Sequence, residues 1–122
     1  MNYETATNNQ LEDRLASLVG FKPTEFDELA CAVVRSLKAE GCVDLYEKET
    51  PSPDYCTDIS VTWPLMIKHG IELSPCYNGW WLSGVVESYT YEEEPLSYSG
   101  VTICEDPLRA IVICLIKVME SK

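Results

Sequence analysis

Apolar positions along the chain change period several times, and each change marks an element. Leu11, Leu15, Leu18 and Val19 fall at i, i+4, i+7 and i+8, the spacing of a short amphipathic helix. Asn8 and Asn9 are available to cap its start, Gly20 to end it, and Pro23 blocks simple continuation. The next helix is better marked. Thr24 stands as N-cap, Glu25 and Asp27 complement the helix dipole, and Phe26, Leu29, Ala30, Val33, Val34 and Leu37 repeat on one face before Gly41. This predicts a helix over 24–40. Residues 42–46 alternate weakly, as a short strand would, and 47–55, with Pro51 and Pro53, reads as an exposed loop. Ile59, Trp63, Met66 and Ile67 predict the apolar face of a helix over 59–69, started by Thr57 or Asp58 and ended by Gly70. Pro64 either kinks that helix or marks its first turn.

The period then shortens to two. Ile71 and Leu73 precede Asn78-Gly79, a dipeptide that readily supplies the positive φ angles of a tight hairpin turn. In the strand that follows, Trp81, Ser83, Val85 and Glu87 share one face and Trp80, Leu82, Gly84, Val86 and Ser88 the other. Trp80, Leu82 and Val86 are the expected core face, which turns Trp81 outward. Residues 90–95 break the alternation and 96–103 resume it as a third strand. Asp106 and Pro107 then open a helix carrying Leu108, Ile111, Val112, Leu115 and Met119. Ile113, Cys114, Ile116 and Val118 widen its apolar surface, which places it between the sheet and another layer. With no internal repeat or linker, the pattern predicts a single α+β domain over 1–122. It is an αβα sandwich, an antiparallel sheet of three to four strands packed between helical layers.

Composition adds exclusions. A chain of 122 residues, 46% hydrophobic, supports one core. The polar opening residues do not read as a signal peptide, and the longest apolar run, 110–116, falls short of the roughly 18–20 residues that span a bilayer. Six cysteines without an export signal are expected as free thiols in a reducing cytoplasm. Their spacings of 11, 14, 20, 28 and 10 residues contain no Cys-x-x-Cys, so no metal site is expected. The six glycines are dispersed and form no phosphate loop. His69 is the one histidine, near a helix end, and no nucleophile–base pair is legible around it. The expectation is a protein with no catalytic residues and no cofactor.

Charge points to the partner. Twenty acidic against nine basic residues leave a net charge of −11, which disfavours nucleic acid and anionic membranes and favours basic protein surfaces. Six acids lie between positions 87 and 106 (Glu87, Glu92, Glu93, Glu94, Glu105 and Asp106), with no Lys or Arg, and Tyr89, Tyr91 and Tyr98 are interleaved. Carboxylates offer charge-assisted bonds to Arg or Lys, and tyrosines offer rigid amphipathic contact area. With Trp81 as a further aromatic anchor, these ten residues are the expected partner-binding set. The same residues also fit a solvated strand edge whose charge serves solubility.

Asp54-Tyr55-Cys56, Trp63-Pro64-Leu65-Met66 with Gly70-Ile71, the pair Trp80-Trp81, and Asp106-Pro107-Leu108-Arg109-Ala110 together resemble the small NinX-like and "ABA sandwich" proteins of tailed bacteriophages. The resemblance covers roughly 54–119, with a looser match at 11–21. It implies an antiparallel sheet between helical layers and brings no catalytic residues. The acidic 89–99 segment and the long 24–40 helix depart from the family pattern. The expectation is a non-enzymatic phage accessory protein acting in the host bacterial cytoplasm. It would inhibit a host defence protein by presenting carboxylates to a basic surface in place of phosphates, with homo-oligomerisation left open. The alternative is a sponge that sequesters a small ligand or nucleotide signal.

Overall fold

The computed structural model describes residues 1–42, 48, 50–93 and 95–121. Among these residues, four helices and three strands follow in the order α1 (Asn8–Val19), α2 (Glu25–Ala39), α3 (Ile59–His69), β1 (Ile71–Pro75), β2 (Trp81–Tyr89), β3 (Pro95–Cys104) and α4 (Pro107–Glu120). The fold is α+β, with an antiparallel sheet packed against helices. Residues 43–46 of the weakly alternating stretch, and Glu47 and Glu49 of the expected loop, lie outside the described residues.

Local chemistry explains the boundaries. Thr7, not Asn8 or Asn9, caps α1: its hydroxyl accepts from Gln10 N while the Gln10 side chain accepts from Thr7 N. Thr24 and Asp27 close the same reciprocal pair at α2. Asp58 caps α3, and Pro64 sits inside that helix on its exposed side. Asp106 Oδ1 accepts from Leu108 N and Arg109 N, with Pro107 in the first turn of α4 as the sequence implies. At the β1–β2 turn, Asn78 (φ 59°) and Gly79 (φ 76°) both take positive φ, and Trp80 N donates to Tyr77 O.

The sheet order is β1-β2-β3, with Ile71 opposite Val85, Leu73 opposite Ser83 and Thr102 opposite Ser83 on its other side. Helix α4 packs on β1, β2 and β3 and also against α1 and α3, so it lies between the sheet and those two helices. Every residue from Ala110 to Ile116 is buried. Each Ile, Leu or Val buried there contributes roughly 1.5–3 kcal/mol relative to exposure.

The sheet face that meets α4 is the opposite of the expected one. Ser83, Thr102 and Ile71 are buried and Val85 packs on the core, whereas Leu82 and Val86 belong to the other face. Trp81 shares the parity of Ser83 and is half-buried, while Trp80, just before the strand, is 40% exposed. The outward aromatic is therefore Trp80. The cause is close packing: α4 approaches the sheet so nearly that a Cβ on Gly100 would stand 2.8 Å from Val118 Cγ2. Small side chains, Ser83 and Gly100, are what that approach tolerates. Gly100 (φ 64°) also lies within the register shift between β2 and β3, where a left-handed residue lets the strand bulge. Ser83 Oγ makes no hydrogen bond of ordinary geometry, and the weakly polar Cys114 thiol is the group that interacts with it.

The segment expected as an exposed loop is tied down where it is described. Tyr55 and Cys56 are buried, Thr50 and Ser52 donate to Asp13 Oδ1, and Lys48 reaches Glu12 on α1. The α3 face expected to be buried is only partly so. Met66 packs on the core with Val61 and Leu65, but Ile59, Trp63 and Ile67 are exposed, while Thr62 is buried and donates to Tyr55 O at 2.6 Å.

Candidate interaction site

Strand β1 reaches only as far as Val85 along β2, so beyond it β2 and β3 continue as a two-stranded ribbon. Ser88 and Ser97 hydroxyls meet across this ribbon at 2.6 Å, and register shifts on either side of Ser88 add twist. At the tip, Glu93 N donates to Thr90 O, and Glu93 takes φ 64°, a left-handed conformation unusual for a residue with a side chain.

The ribbon brings together Glu87, Tyr89, Tyr91, Glu92 and Glu93. All five are exposed, Tyr89 to 62% and Tyr91 completely. Glu94 lies outside the described residues. Tyr98, opposite Val86, is half-buried because its ring lies over Gly84, where an added Cβ would come within 3.2 Å of Cδ1. The tip therefore presents two tyrosines and three carboxylates on backbone fixed by a hairpin.

The remaining members of the expected set are elsewhere. Trp81, Glu105 and Asp106 stand at the other end of the hairpin, a ten-residue strand away, roughly 30 Å. Asp106 is occupied as the α4 cap. Its role is to hold the helix start. One acidic stretch in sequence is two separate clusters in space.

The second cluster borders a groove of about 1,100 Å³ between the N-terminal segment, β3 and α4, lined among others by Met1, Trp80, Ile103, Glu105, Arg109 and Lys117. Its cations are engaged by the fold. Arg109 donates to Asn8 Oδ1 at 2.8 Å and to the carbonyls of Tyr3 and Ala6. Lys117 donates to Val101 O at 2.8 Å and lies 5.5 Å above the Tyr3 ring. Tyr3 OH donates to Glu120, whose carboxyl is held below its ordinary pKa by a hydrogen bond from Arg14. No signal in the hydrophobic pattern marked this groove, because strand and helix residues far apart in sequence make it.

The six cysteines are scattered over the fold, and among the described residues they join no metal-binding group. All six cysteines carry free thiols. Burial pushes the Cys56 thiol up to about 12 and raises Cys114 as well, so both stay protonated at neutral pH. His69, half-buried at the end of α3, has an interaction of its own. Among the described residues, no group of three or more His, Cys, Asp or Glu is placed to hold a metal ion, and no helix is long and apolar enough to cross a membrane. Comparison of the chain with protein-family models, curated proteins and solved structures gives no match.

Proposed function

We propose that this chain is a non-enzymatic binding protein that engages a basic surface of a host protein through the tip of the β2–β3 ribbon. The observation that carries the reading is the exposure of Tyr89 and Tyr91 beside Glu87, Glu92 and Glu93 on a structured turn. Large aromatics left in water on ordered backbone are contact area awaiting a partner, and the carboxylates select a cationic one. The site is narrower than the ten-residue set: Trp81, Tyr98, Glu105 and Asp106 do not belong to the tip.

The phage resemblance of Trp63-Pro64-Leu65-Met66 and Asp106-Pro107-Leu108-Arg109-Ala110 supplies the setting, the cytoplasm of an infected bacterium. There, the three carboxylates of the prong occupy a surface built for phosphates and inhibit a host defence protein. The test is capture from host lysate by the wild-type chain and by a tip variant, Tyr89→Ser with Tyr91→Ser and Glu92→Lys. A partner lost with the variant supports the reading, and a partner retained by it rejects the tip.

The groove beside Trp80, at about 1,100 Å³, favours a second reading, a small-ligand sponge. It ranks below the first because Arg109 and Lys117 already bind backbone carbonyls, so an anionic ligand must compete with the fold. Thermal shift against a nucleotide panel separates the two.

A further inference from the structure

The two edges of the sheet are built differently. Strand β1 offers five residues and ends on Pro75, which has no N–H to donate, whereas β3 offers ten residues. An edge strand turns the backbone N–H and C=O of every second residue away from its sheet, and proteins guard such edges with Lys, Pro or a bulge. On β3 the bulge stands at Gly100. Beyond it, Val101-Thr102-Ile103-Cys104 carries no charge and holds three β-branched residues in succession, the type that suits a strand. Val101 and Ile103 are 41% and 53% exposed. Among the described residues, the only hydrogen bond that reaches this stretch from outside the sheet runs from Lys117 Nζ to Val101 O.

This open stretch borders the groove of about 1,100 Å³. Residues 101–105 line it over roughly 16 Å of strand, and α4 adds Arg109, Ile113 and Lys117, spaced i, i+4 and i+8. We propose that the groove is a strand-acceptor site: an extended peptide of a partner protein, apolar at alternate positions and basic at its ends, adds to β3 as a fourth strand. A free strand edge beside a helix suits this occupant, because main-chain pairing supplies affinity and the walls of the groove read alternate side chains. Val101 O, already bonded by Lys117, keeps a second lone pair for a peptide N–H. Charge selects the peptide. Arg109 and Lys117 donate to carbonyls of the fold, whereas Glu4 and Glu105, both exposed on the groove, have carboxylates with no hydrogen bond or ion pair among the described residues. The charge left for a ligand is therefore negative and favours Lys or Arg. A second copy of the chain suits the edge less well, because each copy carries a net charge of −11.

The site lies at the opposite end of the β2–β3 hairpin from the acidic tip, and neither depends on the other. The probe is a peptide of about seven residues, valine alternating with threonine and lysine at both ends, titrated against the full chain while amide hydrogen exchange is followed by NMR. The peptide is expected to bind, and amides within 101–105 that exchange rapidly in the free protein are expected to become protected. Of the two alternate sets of peptide nitrogens, methylating the set that faces β3 removes its donors and should weaken binding at least about tenfold, while methylating the other set is tolerated. Glu105→Lys, at an exposed position, should weaken binding about threefold or more, as should glutamate in place of the terminal lysines. The variant Tyr89→Ser with Tyr91→Ser and Glu92→Lys should bind the peptide as the wild type does. Absence of binding up to millimolar peptide overturns the proposal, as does binding indifferent to both methylated sets, to the charge changes, or without protection within 101–105. Binding lost with the tip variant also overturns it and assigns the peptide to the ribbon. Protection within 101–105 that grows with protein concentration in the absence of peptide overturns it in favour of a second copy at the edge.

Discussion

Lys48 Nζ lies 2.9 Å from Oε1 of Glu12, a carboxylate only 3% exposed, and joins the 48–58 segment to α1 across 36 positions of sequence. Glu12 Oε2 accepts from Cys56 N at 3.0 Å, and Lys48 also reaches Asp54 Oδ1 and Pro53 O. A buried carboxylate is tolerated here because both of its oxygens are bonded.

Glu12→Ala therefore takes from Lys48 its buried acceptor, leaving it Asp54 and Pro53 O, and leaves the Cys56 amide without the carboxylate it donates to. The expected loss is about 2–3 kcal/mol, at the low end for a broken buried pair because Lys48 keeps some solvent. Glu12→Leu with Lys48→Met should recover most of it. Urea denaturation of the three proteins checks this, and a loss under about 0.5 kcal/mol for Glu12→Ala contradicts the assigned role.

The same pair sets an alkaline limit. Burial by itself lowers the Lys48 pKa, but hydrogen bonds to Glu12 and Asp54 outweigh it and raise the ammonium above the ordinary lysine range. A cation with a raised pKa in the folded state adds stability at all lower pH and loses that contribution as pH climbs through the raised value. The wild type should thus lose stability in strongly alkaline buffer, and Lys48→Met should lose less over the same interval, as measured by denaturation at a series of pH values.

How much of this was legible follows the range of the interactions. Caps and turns are local, so Thr24 with Asp27, Asp106 with Pro107, and Asn78-Gly79 all stand where the sequence places them. The face of β2 is not local. Val85 on one side and Leu82 and Val86 on the other are comparably apolar, and the choice falls to how closely α4 approaches, which depends on Gly100 and Val118. For α3, Ile59, Trp63 and Ile67 form a clean stripe, and clean periodicity by itself does not say whether the stripe is covered by the same chain. The acidic set splits because β3 carries Glu105 and Asp106 a full strand length from Glu92 and Glu93, a distance invisible in a charge count.

Gly100 tests the close approach. Its φ of 64° disfavours any side chain, and a Cβ would press on Val118 at 2.8 Å. Gly100→Ala is expected to cost about 2 kcal/mol, with the loss partly recovered by Val118→Ala in the same chain. Thermal melts of the single and double variants decide it. An unchanged midpoint for Gly100→Ala contradicts the packing described.

The thiols should separate into two classes. Cys42 and Cys76 are exposed, whereas Cys56 and Cys114 are buried with raised pKa values. Brief alkylation of the folded protein at neutral pH, followed by peptide mass spectrometry, should label the first pair. Cys56 and Cys114 should label only in denaturant. Rapid native labelling of Cys56 contradicts its placement beneath Glu12.

The proposed binding of a cationic protein surface by the acidic, tyrosine-bearing prong rests on charge. It is tested most directly by measuring the affinity of the captured host partner at low and at high salt, for the wild type and for Glu92→Lys with Glu93→Lys. The expected result is affinity that falls steeply with salt and is lost in the charge-reversed chain. Affinity that is independent of salt and unchanged by the reversal contradicts it.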